Sequence, residues 1–303
     1  MVAPTPRHVP DIRLDFLHAW ATNGHFSVRA HVTDASPEWE TQVLRDAGLW
    51  WISSEMMDVL VAGMKDVPGD ITPEDLQPPD EQPGLVLFEK PLESIAREGQ
   101  SILVDAIAWG GSIRPVLRAG QSDLAVAVSS YVRLNPTRPE GEPFMEPRTQ
   151  WAYLGQSTWP MNDPLATTLF DDQPDGEATS TFEDRRLIAA MWTFLTQPGI
   201  SERVTVSPDR ATSRRHVRAD LDAEDAKVQV ITLRRVHRAG EEFAADALGA
   251  REYSHQWLVS GHWRQQRVGE GLSQTRLVWI SPYVKGPSDK PLRTPDVVRA
   301  WVR

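Results

Sequence analysis

The chain has 303 residues, 40% apolar and 24% charged, with a formal net charge of −10. That composition belongs to a globular protein able to bury one large or two ordinary cores, and so negative a balance argues against a general nucleic-acid coater. Cysteine is absent, which excludes disulfides, thiol catalysis and thiolate zinc sites and fits the cytoplasm; no apolar run reaches ~18 residues and the first ten residues hold no apolar signal core, so neither a membrane span nor a secretory leader is expected.

Residues 14–20 read as a short helix. Ser36-Pro37 opens a better one: serine can cap, proline fits the first helical position, and Glu38 and Glu40 suit the positive end of the dipole. Leu44, Leu49, Ile52, Met56, Leu60 and Met64 recur roughly every fourth residue, which predicts one broken or two consecutive amphipathic helices ending near Asp66. Thr72-Pro-Glu-Asp75 carries another cap, and the proline-rich residues 77–84 mark a boundary. The predicted organisation is a helical region over residues 1–80 and an α+β domain over residues 84–303.

Past the boundary the pattern turns extended. Residues 85–90, 102–109, 124–134 and 149–154 are apolar runs fenced by Pro91, Gly110-Gly111, Pro136 and Gly155, and read as strands of an antiparallel meander. Residues 171–176 read as a solvated acidic loop without the oxygen spacing of a calcium site. Ser180-Thr-Phe-Glu183 has capping-box form. Ile188, Met191, Trp192 and Leu195 follow at helical spacing, and Pro198-Gly199 ends this strong helix. Arg185 and Arg186 leave its apolar face and are expected to point to solvent. The predicted fold class is α+β: a helical N-terminal segment, an antiparallel β-rich domain with one long helix, and a C-terminal β-hairpin.

Charge changes sign along the chain. Residues 1–200 hold 14 Lys+Arg against 29 Asp+Glu, whereas residues 201–303 hold 18 against 13, so an acidic protein has a basic end that suits an anionic ligand. Arg210, Arg214, Arg215, His216 and Arg218 crowd nine positions, and residues 227–235 read as a strand closing on Arg234 and Arg235. These clusters are either a solvated basic loop or a salt-dependent contact with a nucleic-acid backbone.

The densest chemistry lies in residues 253–264 and 277–287, the two arms of the hairpin. In an unbroken strand His255 and His262 point to opposite faces, and only a bulge at Ser260-Gly261 would bring them together. His262 and Arg264 share a face. There a guanidinium can neutralise a phosphate and an imidazole can donate or move a proton near neutral pH. With Lys285 and Tyr283 they form the parts list of a metal-independent ribonuclease, whose catalytic candidates are His262, Arg264 and Lys285. The plainer reading has His262 and Arg264 bonding within the protein to hold the hairpin together.

Candidate nucleic-acid contacts are Arg210, Arg214, Arg215, Arg218, Arg234, Arg235, Arg264 and Lys285. Candidate partner contacts are Trp257, Trp263, Trp279 and Tyr283, although most of the 12 tryptophans are expected in the core. No P-loop, G-x-G-x-x-G, H-E-x-x-H or G-x-S-x-G occurs, and the pairs His25/His31 and His255/His262 lack a carboxylate pattern, so no cofactor or metal is expected.

Taken in order, Leu85-Val-Leu-Phe-Glu-Lys-Pro91, Ala106-Ile-Ala-Trp109, residues 187–197, Arg214-Arg215, Val228-Gln-Val-Ile-Thr-Leu-Arg-Arg235, Gly261-His-Trp-Arg264 and Val278-Trp-Ile-Ser-Pro-Tyr-Val-Lys-Gly-Pro287 resemble a family of phage, plasmid and actinobacterial proteins. That family includes a type V-A anti-CRISPR protein which blocks production of the CRISPR effector nuclease. The resemblance covers residues 84–290, is most specific in its last two segments, and leaves residues 1–80 unmatched. It implies a binder of mobile-element origin that recognises a nascent polypeptide or a ribosome-associated RNA assembly and lowers target expression through mRNA decay. By the same resemblance Gly261, His262, Arg264, Trp279 and Lys285 are its site positions. A scaffold or phage structural protein is the remaining reading.

Overall fold

The computed structural model describes residues 4–23, 36–80, 83–95, 101–113, 120, 122–133, 151–166, 177–197, 199–234, 254, 256–285, 287 and 290–293. His25, His31, the acidic residues 171–176, Arg235 and His255 lie outside them. Five α-helices are described: α1 (Val9–Asn23), α2 (Pro37–Asp46), α3 (Ser54–Met64), α4 (Glu177–Thr196) and α5 (Arg210–Arg218). The main sheet holds β1 (Gly48–Ile52), β2 (Gly84–Ile95), β3 (Ser101–Ile113), β4 (Leu124–Arg133), β5 (Trp151–Pro160), β6 (Ser201–Val206) and β7 (Val228–Leu233). Short strands β8 (Gln256–Val259), β9 (His262–Val268), β10 (Gln274–Ile280), β11 (Tyr283–Lys285) and β12 (Leu292–Arg293) follow. The fold is α+β, and no helix among the described residues is long and apolar enough to cross a membrane.

The sheet runs β5-β4-β3-β2-β1-β7-β6. The meander β2 to β5 is antiparallel as predicted, and so is the β6–β7 pair. Inside the sheet, between β2 and β7, β1 lies parallel to both neighbours, which makes the sheet mixed. Residues 48–52 therefore correct the helical reading of that stretch. Leu49-Trp-Trp-Ile52 is a continuous apolar run, the pattern of a strand covered on both faces, and all four side chains are buried. Sheet burial overrides the four-residue recurrence. Ser53 then caps α3, its hydroxyl accepting from the Met56 N–H, so a strand separates the two helices.

Several predicted strand ends are bulges rather than stops. β2 continues through Pro91 by a register shift between Leu87 and Leu92, and β5 continues through Gly155 opposite a shift at Ser130/Tyr131. α4 begins at Glu177, so the predicted cap at Ser180 falls inside the helix. Arg185 is buried, not solvated: it pairs with Asp163 at 3.4 Å and donates to the Thr158 carbonyl.

One face of the sheet packs Phe16 and Trp20 of α1 and Leu44 of α2 against Tyr131, Trp151 and Tyr153. The other packs Met56 and Leu60 of α3 and Trp192 and Phe194 of α4 against Trp50 and Trp109, with Leu277 and Trp279 of β10 joining them. Gly84 is forced by this packing, because a Cβ there would lie 2.1 Å from the Trp109 ring. Gly84→Ala is expected to cost about 1–3 kcal/mol as an overpacked site, read as a lower urea midpoint. An unchanged midpoint would mean that the indole gives way freely.

Candidate functional site

The C-terminal arms form one ribbon with one register. β9 pairs with β10 from Val268↔Gln274 to His262↔Ile280, and β8 pairs with β11 from Val259↔Tyr283 to Trp257↔Lys285. The same pairing rule holds on both sides of the interruption at Ser260-Gly261 and Ser281-Pro282, so no residue is inserted and the break is not a bulge. Alternation then divides the side chains into two faces.

The inner face anchors the ribbon. Trp263 and Trp279 are cross-strand partners with ring centroids 5.1 Å apart, and Phe194 of α4 lies 5.6 Å from the first and 5.8 Å from the second. Trp263 Nε1 donates to the Gly63 carbonyl at 2.8 Å. Gln197, just past α4, clamps the backbone of Trp279 twice: its amide donates to the carbonyl at 2.8 Å and its oxygen accepts from the N–H at 3.0 Å. Gly261 belongs under this arrangement, since a Cβ there would fall 2.4 Å from the Trp279 indole. Two candidate partner contacts, Trp263 and Trp279, thus sit in the anchor. Trp257 and Tyr283 lie in β8 and β11.

The outer face holds His262, Arg264 and Gln266 on β9 and Arg276, Val278 and Ile280 on β10; the first four are exposed and the two aliphatics half-buried. Arg264 and Arg276 are diagonal neighbours across the pair, within reach of one ligand. Neither arm carries a carboxylate, and Arg264, Arg267 and Arg276 make no ion pair with a described residue. His262 Nδ1 donates to the Ser260 carbonyl at 3.1 Å, which leaves Nε2 for an outside partner. The structure therefore brings His262 and Arg264 together as the alternation predicts. Lys285, exposed and opposite Trp257, falls in the register class of Trp263 and Trp279 instead.

The second cationic cluster is a helix rather than a loop. Asp209 caps α5, accepting from the Thr212 N–H at 2.7 Å, and Thr212 and His216 bury its inner line. Arg210, Arg214 and Arg218 are exposed, whereas Arg215 is held by Asp11 of α1 at 2.7 and 2.9 Å. Because α5 packs on α1 and the ribbon packs on α3 and α4, the two clusters occupy opposite sides of the sheet. Arg234 is exposed at the end of β7, its backbone N–H bonded to the Ile200 carbonyl.

Sequence reading missed a buried acid. Glu40 was assigned to the helix dipole, yet it is wholly buried between α2 and strands β4 and β5. The Ser129 hydroxyl donates to it, as do the Tyr131 hydroxyl at 2.9 Å and the Gln156 amide at 3.2 Å. Phe16 stacks on Tyr131 at 4.3 Å and Trp20 meets Tyr153 edge-on at 5.0 Å. Burial pushes the carboxyl up to about 7, against the hydrogen bonds that favour its charge. The group can hold a proton near neutral pH while tying α2 to the sheet. The available signal was spacing: Glu40, Val43 and Leu44 fall on one helical face.

Nearby, Arg13 is also buried, donating from Nη1 to the Ala47 carbonyl at 3.2 Å; Nε and Nη2 find no partner among the described residues. Burial lowers its pKa to about 10.

No family model and no curated protein matches the chain. Among solved structures, the crystal structure of AcrVA2 aligns with 92% of this chain and 85% of that one, at 11% identity and a TM-score of 0.38.

Proposed function

We propose that this protein is a regulatory binding protein that grips an RNA-containing assembly carrying a nascent polypeptide and lowers expression of the target so marked. The observation that supports this reading is the outer face of the β9–β10 ribbon. It presents Arg264, Arg276 and His262 beside Gln266, with no carboxylate on either arm, from a hairpin fastened to α4. Guanidiniums on a fixed platform hold phosphates bidentately without reading sequence. The sequence resemblance to the family that includes an anti-CRISPR protein supplies the biological direction. Binding is favoured over cleavage because His262 is the single imidazole on that face among the described residues, whereas acid–base cleavage of a phosphodiester uses two proton-transfer groups.

Affinity capture from cells, with RNA and protein both identified, is expected to recover a messenger RNA together with the polypeptide it encodes. Arg264→Gln with Arg276→Gln should lose most of that RNA. Purified protein mixed with RNA in EDTA should leave the RNA intact. Cleavage that vanishes in His262→Ala would replace the binder with a metal-independent ribonuclease, and self-assembly without RNA would point to a scaffold.

A further inference from the structure

Arg210, Arg214 and Arg218 stand one turn apart on α5, on the side opposite buried Thr212 and His216. Like charges at i, i+4 spacing disfavour a helix. Yet none of the three makes an ion pair with a described residue, while Arg215 between them is neutralised by Asp11. Of the acids close by in sequence, three have partners of their own, while Asp220, exposed two residues past Arg218, makes no ion pair with a described residue. Asp209 holds the Thr212 N–H, Asp222 accepts from the Glu224 N–H, and Glu224 pairs with Lys227. Exposed Val217, with 61% of its surface free, lies beside the stripe and offers an apolar patch for a sugar or base. A helix that leaves three aligned cations without an ion-pair partner among the described residues, beside a compensated one, breaks a local rule in the way functional surfaces do.

We infer that α5 is a second phosphate-binding surface, along which a single RNA strand lays successive phosphates. The guanidiniums advance about 6 Å per step along the helix axis, and each can take a phosphate bidentately. Since α5 and the ribbon lie on opposite sides of the sheet, an RNA bound at both must pass around the protein or be contributed as two segments. The inference rests on the reading that the partner assembly contains RNA.

The test uses the full chain and fluorescein-labelled oligouridine RNA, with affinity measured by anisotropy at several salt concentrations. Changing Arg210, Arg214 and Arg218 together to Gln is expected to flatten the slope of log K against log salt by about 2, at roughly 0.7 per phosphate released from a single strand. The corresponding triple Lys variant should keep the wild-type slope. Circular dichroism of both should match wild type, because all three side chains are exposed. An unchanged slope in the Gln variant overturns the inference, as does polyglutamate competing as well as RNA. A wild type that binds no RNA overturns it and removes the RNA from the proposed function. A flattened slope with no RNA in the cellular capture upholds the inference and overturns the proposed function alone.

Discussion

Trp279→Ala is expected to cost about 3–5 kcal/mol of folding stability and to free the C-terminal ribbon from the body of the protein. Trp279 is 4% exposed, meets Trp263 and Phe194 ring to ring, and covers Gly261. Truncation therefore removes an indole from one core and leaves a void that α4 and β9 cannot both close. Urea unfolding gives the stability loss, and limited proteolysis reports the ribbon directly, with cleavage in the turn around Gly269–Ser273 expected to accelerate. Gln197→Ala is the milder companion. It deletes both backbone clamps on Trp279 while leaving the rings packed, at a cost of about 1–3 kcal/mol. Faster proteolysis without global unfolding in that variant would separate anchoring from folding. Wild-type stability and protease resistance in both variants would mean that the ribbon is held by other contacts.

The second large effect concerns pH. The Glu40 carboxyl titrates at about 7 in the folded protein against a reference value of 4.5, so folding favours its protonated form. Its contribution is fully present below about 4.5, declines as pH rises through 7, and is absent above. That difference of about 2.5 units corresponds to about 3 kcal/mol. Wild type is accordingly expected to lose stability between pH 5 and pH 8 relative to Glu40→Gln, which keeps a neutral group among the Ser129, Tyr131 and Gln156 donors. Urea midpoints of both proteins across that range give the comparison, and the difference between them cancels the other titrating groups. Parallel pH profiles would show that Glu40 does not change protonation on folding.

Much of the architecture was legible in local pattern. The meander strands announced themselves as apolar runs between Pro and Gly, Ser36 caps α2 through the Trp39 N–H as its position suggested, and the strong helix carries Ile188, Met191, Trp192 and Leu195 into the core. What escaped were features decided by distant partners. β1 took its strand form from β2 and β7, neither of which is visible in a window around Leu49. Arg185 looked like a surface cation until Asp163 and Thr158 came to it from β5 and beyond. Glu40 looked like a dipole complement because its hydrogen-bond donors lie about ninety residues or more away along the chain. At the candidate site, alternation correctly joined His262 to Arg264, but whether one cationic surface existed or two depended on which side of the sheet each packs.

The placing of β1 between an early and a late strand has a consequence for synthesis. Ile52 of β1 pairs with Phe88 on one side and Ile231 on the other, so one edge of β1 is filled early in translation and the other only after most of the chain has emerged. Until then its Leu-Trp-Trp-Ile segment borders an open ladder, with β6 and β7 still to be made. Long-range pairing of this kind slows folding and exposes intermediates to aggregation. A chain halted before residue 228 would therefore hold a partly built sheet in which β1, interior in the finished fold, is still an unpaired edge.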